Sequence, residues 1–236
     1  MSVAENVAAI RERISQAAAR VGRSPDSVTL MAVSKTVEAE RIQQAYAAGL
    51  RVFGENRVQE FSDKAAALSG MKDAEWHLIG HLQSNKAKKA AELFQAVDSI
   101  DSLRLAERTN QAAGQAGKIL SMLIEIKVGE EESKAGIPVN SPELEDLLRA
   151  APKLNHLQVR GLMTVPPFTE DAEGVRPYFR LLRDLRDRIA ARQWPHIQMD
   201  VLSMGMSHDF AVAIEEGSTC VRVGTAIFGA RPTPTP

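Results

Sequence analysis

The sequence predicts an α/β fold, a single (β/α)8 TIM barrel with an extra N-terminal helix. Short apolar runs that suit buried strands alternate along the chain with segments of helical periodicity. Eight such runs are present, which is the number that closes a parallel sheet into this barrel. The length of 236 residues also suits one barrel domain. A doubly wound open sheet is the structural alternative.

The chain begins with an amphipathic helix, predicted over residues 3–21. Apolar residues recur at steps of three and four from Val3 to Val21, and Gly22 follows as a C-terminal glycine. The next apolar run, VTLMAVSK at 28–35, is β-branched and too short for a helix, so it predicts a buried parallel strand.

Seven more strands and their helices follow in alternation. We predict the strands at 51–54, 76–80, 95–100, 119–128, 156–165, 199–204 and 219–224. We predict helices at 37–48, 56–68, 84–93, 102–116, 172–192 and 207–215, and one more that begins with Ser141 as its cap and Pro142 in its first turn. Parallel strands joined by right-handed crossovers are the expected arrangement.

Composition and charge favour a soluble protein that binds a small molecule. The 29 basic and 30 acidic side chains nearly cancel, which argues against nucleic acid or membrane partners. With a single cysteine, no signal peptide and no apolar stretch long enough to cross a membrane, we expect a cytoplasmic protein. We predict one barrel domain over 1–231 and a flexible C-terminal tail over 232–236.

Polar residues at the carboxyl ends of the strands are the candidate functional residues, because barrels of this kind place their active sites there. Lys35 ends the first strand after an uncharged run, where desolvation favours the neutral amine. A neutral lysine amine can attack a carbonyl carbon and form a Schiff base. A lysine that extends into solvent is the alternative.

The loops after the seventh and eighth strands are typical of a phosphate site. Gly205 permits a tight turn, and Ser207 is predicted to cap a helix whose N–H groups can bind an anion. Gly224 provides a backbone amide that no side chain obstructs, and Thr225 provides a hydroxyl. Phosphates commonly bind to these two loops in this fold. Ordinary turn and capping chemistry explains either loop alone, but it explains the pair less well.

Arg222 lies within the eighth strand and shares a face with Cys220 and Gly224 by strand alternation. As a guanidinium it would donate to a ring nitrogen and keep that nitrogen unprotonated. An internal ion pair with Glu125 or Glu55 is the alternative, and the residues alone favour it. We expect Cys220 to be a buried structural residue, and the dispersed histidines predict no metal site.

A Schiff-base lysine facing a phosphate site fits a sugar-phosphate aldolase as well as a pyridoxal phosphate protein, and longer motifs distinguish the two. These motifs are AVSKT (32–36), FGENRVQE (53–60), WHLIGHLQSNK (76–86), ESKAGI (132–137), RGLMTV (160–165) and the segment from LSMGMSHDF to GTAIFGAR (202–231). With them the chain resembles the pyridoxal phosphate homeostasis protein family, which is related to the barrel domain of bacterial alanine racemase.

The resemblance implies that Lys35 carries pyridoxal 5′-phosphate as a Schiff base. It also implies that Ser207, Gly224 and Thr225 hold the phosphate and that Arg222 is the partner of the pyridine nitrogen, with further residues around the ring. The implied cofactor-binding residues are Lys35, Asn56, His77, Met204, Ser207, Arg222, Gly224 and Thr225.

The residues favour a binding protein over a catalyst. A two-base racemase needs a second base, usually a tyrosine, whereas Tyr46 and Tyr178 fall on predicted helices away from the barrel mouth. The chain also ends soon after the last strand, so we expect no second domain. We expect intracellular pyridoxal phosphate homeostasis by reversible carriage, without a complete catalytic apparatus. A weak amino-acid racemase is the alternative.

The cofactor itself is the expected small-molecule partner, and pyridoxal phosphate-dependent apoenzymes are candidate protein partners. The resemblance favours a monomer. Ser133 and Lys134 match a family motif within the acidic loop 129–136, but we have no physical account of their role.

Overall fold

The strands close into a barrel, as the sequence predicts. The computed structural model describes residues 1–131 and 135–229 of the chain. Its strands are Thr29–Val33 (β1), Val52–Glu55 (β2), Glu75–Leu78 (β3), Ala96–Ile100 (β4), Leu120–Lys127 (β5), Ile137–Pro138 (β6), Leu157–Met163 (β7), Ile197–Ser203 (β8) and Cys220–Val223 (β9). Eight of them pair in parallel in the order β1-β2-β3-β4-β5-β7-β8-β9, and β9 returns to β1. The open-sheet alternative is therefore wrong.

Helices surround this barrel. They are Val3–Arg20 (α1), Ala39–Ala47 (α2), Val58–Lys64 (α3), Ala87–Leu93 (α4), Leu103–Gln115 (α5), Pro142–Ala150 (α6), Arg176–Ala191 (α7), Phe210–Glu215 (α8) and Thr225–Phe228 (α9). The extra N-terminal helix α1 packs against α2, α8 and α9. Within the described ranges, none of these helices has the length and apolar character needed to cross a membrane.

Local sequence explains where two of the helices begin. The Ser2 hydroxyl accepts a hydrogen bond from the Glu5 amide, and the Glu5 carboxylate accepts one from the Ser2 amide, so a capping box starts α1. The Ser141 hydroxyl accepts from the Leu144 amide at the start of α6, which confirms the predicted cap.

The structure corrects three features of the predicted pattern. The helix predicted at 207–215 begins only at Phe210, so residues 207–209 belong to the loop after β8. Strand β6, which pairs with the end of β5, and helix α9 were not predicted, because elements this short give no periodic signal. The predicted tail at 232–236 lies outside the described residues, and so do Ser133 and Lys134.

An apolar layer fills the space between the barrel and the helices. Strand alternation turns Val221 and Val223 of β9 towards this layer, and both are fully buried. The layer includes a group of aromatic rings with centroids 4.5 to 5.0 Å apart, contributed by Phe53, Phe61, Trp76 and Phe94. Such packing fixes the strands that carry the residues of the barrel mouths.

The barrel interior forms a second layer and contains charged groups. Its buried apolar side chains, which stand apart from the outer layer, are Met31, Ala96, Leu123, Met163 and Cys220. By strand alternation, the charged or titratable side chains on the same inner faces include His77, Asp98, Glu125 and Arg222. Charges inside a barrel need partners or a ligand.

Candidate functional site

Lys35 lies just beyond β1 at the carboxyl-terminal mouth of the barrel. Its side chain is half-buried and lines a cavity of about 120 Å³ together with Gly224 and Thr225. These two residues follow β9 directly, and the pairing of β1 with β9 brings the two strand ends together. The structure thus places three of the predicted site residues around one cavity.

The Ser207 hydroxyl joins the loop after β8 to the start of α9. Its oxygen accepts from the Thr225 hydroxyl at 3.2 Å and lies 3.4 Å from the Ala226 amide nitrogen. The position before α8 is taken by Asp209, so the predicted capping role of Ser207 is wrong. Two hydroxyls and an N-terminal amide of α9 converge instead, and this donor arrangement suits a phosphate group.

Gly205 and Asp209 shape the loop that carries Ser207. Gly205 has a φ of +94°, and a Cβ atom there would lie only 2.5 Å from the Cβ atom of Ala213, which confirms the tight turn predicted at this glycine. The buried Asp209 carboxylate accepts from the Met206 amide at 2.6 Å. Asp209 is not among the residues predicted from the sequence, although an aspartate shortly after a glycine is a typical turn signal.

Arg222 is buried in the barrel interior with 3% of its surface exposed. Its guanidinium donates to the carbonyl and hydroxyl oxygens of Ser203 at 2.8 and 2.7 Å and to the Thr164 carbonyl at 2.7 Å. Among the described residues, no carboxylate forms an ion pair with it, and Glu55 pairs with a lysine of α3 instead. Burial lowers the pKa of Arg222, but a guanidinium still keeps its proton.

The hydrogen bonds of Arg222 leave donor capacity for a ligand. A guanidinium has five N–H groups, and three of them are used by the oxygens of Ser203 and Thr164. The role of these strand ends in orienting Arg222 carries little residue-type signal, because two of the three acceptors are backbone carbonyls. Arg222 is therefore fixed by the backbone and able to donate further.

Glu125 is a second buried charge in the interior, near the end of β5. Burial and repulsion from Asp101 raise its pKa to about 7, against the attraction of Arg222 and His81. The carboxyl group therefore changes charge close to neutral pH, and its charge influences Arg222 electrostatically.

Asn56 and Met204 occupy different surroundings. Asn56 is half-buried directly after β2, where Gly80 approaches it so closely that a Cβ atom would lie 2.3 Å from the Asn56 carbonyl oxygen. It therefore lies at the carboxyl-terminal mouth. Met204 is fully buried in the apolar layer between strands and helices, so the structure does not bring its side chain to the Lys35 cavity.

His77 lies towards the opposite, amino-terminal mouth. Its ring lines a cavity of about 390 Å³ at that mouth. Residues at or beside the amino ends of several strands line the same cavity, among them Thr29, Glu75, Ser121 and Thr219. The Nδ1 atom of His77 contacts both carboxylate oxygens of Asp98 at 3.0 and 3.1 Å. The structure does not bring His77 together with Lys35.

Asp98 makes His77 a partly buried cation. Burial is the largest single effect and lowers the pKa of His77, but the charges and hydrogen bonds of Asp98 and Glu75 outweigh it and raise the pKa to about 9. Asp98 is itself only 1% exposed. The two side chains satisfy each other, which is the arrangement of a structural ion pair.

Cys220 is buried, as predicted, and faces the barrel interior. Burial raises the pKa of its thiol to about 12, and the neighbouring Asp98 acts in the same direction. The thiolate, which is the reactive form of cysteine, is therefore disfavoured. This agrees with a structural role for Cys220.

Comparison with known proteins adds a family and a ligand-bound relative. Residues 6–232 match the family described as alanine racemase, N-terminal domain. A protein of Aquifex aeolicus named pyridoxal phosphate homeostasis protein is 45% identical over 232 residues, which cover 98% of this chain and 99% of that relative.

Solved structures agree with this match. PipY of Synechococcus elongatus, solved with pyridoxal phosphate bound, superposes with a TM-score of 0.84 at 39% identity, covering 97% of this chain and 100% of PipY. An alanine racemase of Clostridium difficile superposes with a TM-score of 0.74 at 13% identity, covering 99% of this chain and 58% of the racemase. The second likeness concerns the fold alone.

Proposed function

Because the chain belongs to the alanine racemase N-terminal domain family, we propose that it binds pyridoxal 5′-phosphate as a Schiff base on Lys35. The observation that carries the proposal is the shared cavity at the carboxyl-terminal mouth. Lys35 lines this cavity with Gly224 and Thr225, beside the contact between the Thr225 and Ser207 hydroxyls. The names of the Aquifex relative and of ligand-bound PipY support the same cofactor.

The described residues fit the three parts of this cofactor. Lys35 provides an amine for the aldehyde. Ser207, Thr225 and the Ala226 amide provide donors for the phosphate. Arg222 retains donors for the ring nitrogen, and Asn56 lies at the same mouth. The proposed set excludes His77, which lies towards the amino-terminal mouth, and Met204, which is buried in the apolar layer between strands and helices.

The proposed role is that of a binding protein and not of a catalyst. Bound pyridoxal phosphate supplies an electron sink for reactions at the α-carbon of amino acids. Arg222 works against that chemistry, since a guanidinium that donates to the ring nitrogen keeps it unprotonated. A second base is also needed, but Tyr46 and Tyr178, the two tyrosines of the chain, lie on the outer helices α2 and α7.

The proposed cellular role is homeostasis of pyridoxal phosphate in the cytoplasm, by reversible carriage that limits the free aldehyde. We propose a monomer that can deliver the cofactor to apoenzymes. Exposed apolar side chains beyond β7 and β8 support a protein contact at the mouth, because Val165, Phe168 and Met206 are 40%, 80% and 36% exposed.

The visible absorbance spectrum tests the cofactor assignment. We expect the purified protein, loaded with pyridoxal phosphate where necessary, to be yellow and to lose this absorbance on borohydride reduction. Peptide mass mapping should then find the reduced cofactor on the peptide that contains Lys35. A protein that stays colourless with added cofactor would contradict the proposal and would leave Lys35 as an aldolase lysine or a solvated one.

A weak amino-acid racemase is the second candidate, favoured by the barrel that the chain shares with alanine racemase. Lys35 could serve as one base. Loaded protein should be incubated with single-enantiomer amino acids and the products resolved by chiral chromatography. We expect optical purity to be retained. Racemisation that disappears in Lys35→Ala would overturn the non-catalytic role.

A further inference from the structure

Two side chains of α3 hold the backbone on both sides of Lys35. The carbonyl of Ser34, which forms the peptide bond before Lys35, accepts a hydrogen bond from Lys64 Nζ at 2.9 Å. The amide of Thr36, which forms the peptide bond after Lys35, donates to the Glu60 carboxylate. Both peptide groups that flank Lys35 are therefore fixed from one neighbouring helix.

These two side chains also hold each other and the adjacent strand. Lys64 Nζ lies 3.1 Å from Glu60 and 2.9 Å from Glu55, and the Lys64 side chain is only 14% exposed. Glu55 is fully buried in β2 and accepts from the Ser34 hydroxyl as well. Burial raises the pKa of Glu55, and the attraction of Lys64 opposes that rise. One ammonium group thus joins β1, β2 and α3 behind Lys35.

The backbone turns sharply directly after Lys35. Thr36 has a φ of +59°, a left-handed conformation that β-branched residues rarely adopt. Such a conformation persists only where surrounding contacts determine it. The hydrogen bond from the Thr36 amide to Glu60 is one of these contacts. The fold therefore specifies the backbone at this position and not only the side chain of Lys35.

We propose that Glu60 and Lys64 are positioning residues that fix the backbone of Lys35 and so hold its amine beside Gly224 and Thr225. The inference rests on the proposed function, since the amine must reach the aldehyde of a cofactor whose phosphate is held by other loops. A lysine that is already fixed loses less conformational freedom when the linkage forms. Neither Glu60 nor Lys64 contacts the cofactor in this scheme.

A purely structural role for the same contacts makes a different prediction. If Glu60 and Lys64 only attach α3 to the barrel, their removal lowers the stability of the whole protein and leaves cofactor binding by the folded molecules unchanged. If they position Lys35, their removal loosens the segment around Thr36 and weakens the linkage at temperatures where the protein remains folded. Measurements on the segment itself and on the linkage separate the two roles.

The test uses Glu60→Ala and Lys64→Met, with Lys89→Met as the matched control. Lys89 also pairs with a helical glutamate, Glu92 at 3.5 Å, but on the exposed face of α4. The first readout is hydrogen exchange of the Thr36 amide in cofactor-free protein, which we expect to be about tenfold faster in Glu60→Ala. The second readout is the affinity for pyridoxal phosphate from visible titration, which we expect to fall about tenfold in both variants.

Spectroscopic pH titration of the Schiff-base form adds a measurement that does not depend on the overall stability of the protein. We expect the pH midpoint of the Schiff-base absorbance to shift in Lys64→Met and to return towards the wild-type value in Lys64→Arg, which keeps a cation and its donors. Lys89→Met should match the wild-type protein in every measurement. If Lys64→Met does not fold, the Thr36 exchange rate and the cofactor affinity of Glu60→Ala test the positioning role. This variant should fold, because the Glu60 side chain is partly exposed and less essential to the core.

The outcomes separate this inference from the proposed function. Unchanged Thr36 exchange in Glu60→Ala, or unchanged affinity despite faster exchange, would overturn the positioning role while leaving the cofactor assignment intact. Wild-type protein that forms no Schiff base would overturn the proposed function, even with Thr36 exchange altered as expected.

Discussion

The two mouths of the barrel both contain buried polar groups, but they use their hydrogen bonds differently. Towards the amino-terminal mouth, His77 and Asp98 satisfy each other at 3.0 and 3.1 Å. At the carboxyl-terminal end, Arg222 is held by backbone and hydroxyl oxygens and retains donors, while two hydroxyls meet the start of α9. Polar groups that satisfy one another stabilise a barrel, whereas groups that keep unused donors around a cavity can bind a ligand.

The same strand geometry produces both mouths. Alternation turns His77 and Arg222 towards the interior, so facing inward does not identify a ligand-binding residue. What distinguishes them is the end of the barrel that each one approaches and the partners available there. The difference between the two mouths leads to five expectations, in decreasing order of expected effect.

Removal of the lysine amine should abolish the cofactor linkage. We expect Lys35→Ala to show no borohydride-sensitive chromophore, because no other amine lines the cavity with Gly224 and Thr225 among the described residues. Lys127→Ala is the matched control, since Lys127 is also half-buried at the end of a barrel strand. A visible spectrum of each variant suffices. If Lys35→Ala kept the visible absorbance of the wild-type protein, the cofactor would be linked to a residue other than Lys35.

Disruption of the amino-terminal pair should affect stability and leave cofactor binding unchanged. We expect His77→Gln to lower the free energy of unfolding by about 2 kcal/mol, because Asp98 would lose a charged partner inside the barrel. Chemical denaturation measures this loss. His81→Gln is the control, since His81 faces Asp101 at 3.3 Å but is 60% exposed. A large loss of pyridoxal phosphate affinity in His77→Gln would contradict the division between the mouths.

The contribution of His77 to the stability of the folded protein should also depend on pH. Its pKa is raised from the ordinary 6.5 to about 9 in the folded protein. The stabilisation is therefore fully present below about pH 6.5 and is lost as the pH rises through about 9. We expect the difference in the free energy of unfolding between wild-type protein and His77→Gln to shrink as the pH rises through this window. A stability difference that grows with pH would exclude a His77 imidazolium paired with Asp98.

Loss of the Ser207 hydroxyl should weaken phosphate binding moderately. We expect Ser207→Ala to bind pyridoxal phosphate about tenfold more weakly, since one hydrogen bond to a charged group is lost. Pyridoxal, which lacks the phosphate, serves as the control ligand and should bind wild-type protein and variant equally. Titrations followed by visible absorbance give both affinities. Equal weakening for the two ligands would argue against a phosphate contact at Ser207.

Neutralisation of Glu125 should give the smallest effect, and its sign depends on pH. The pKa of Glu125 is raised from 4.5 to about 7, so the buried carboxylate costs stability increasingly from about pH 4.5 to pH 7. We expect Glu125→Gln to be more stable than wild-type protein by about 1 kcal/mol at pH 8 and equal to it at pH 4. Thermal unfolding at the two pH values checks this. A destabilised variant at pH 8 would show that Arg222 requires the charge.

Much of the fold could be predicted from the sequence, because long periodic segments report their own structure. The eight barrel strands and the capped helix at Ser141 follow from apolar runs and a capping residue. The short elements β6 and α9 could not be predicted, since two or four residues carry no period. The late start of α8 at Phe210 reflects Asp209, which turns the preceding loop with its side chain.

The site was partly predictable for a geometric reason. Lys35, Gly224 and Thr225 were placed correctly at one mouth because residues that follow parallel strands meet at one end of a barrel. His77 is the second residue of the run predicted at 76–80, so its place towards the amino-terminal mouth was already implied by its position. The side-chain contacts behind Lys35 depend on how α3 packs, which no local pattern encodes.

A crystal structure of the chain with pyridoxal phosphate, trapped by borohydride, is the most direct test of the linkage to Lys35. We expect continuous density from Lys35 Nζ to the cofactor, with the phosphate beside Ser207, Thr225 and the Ala226 amide. Density for the cofactor in the amino-terminal cavity beside His77, or joined to another lysine, would contradict it.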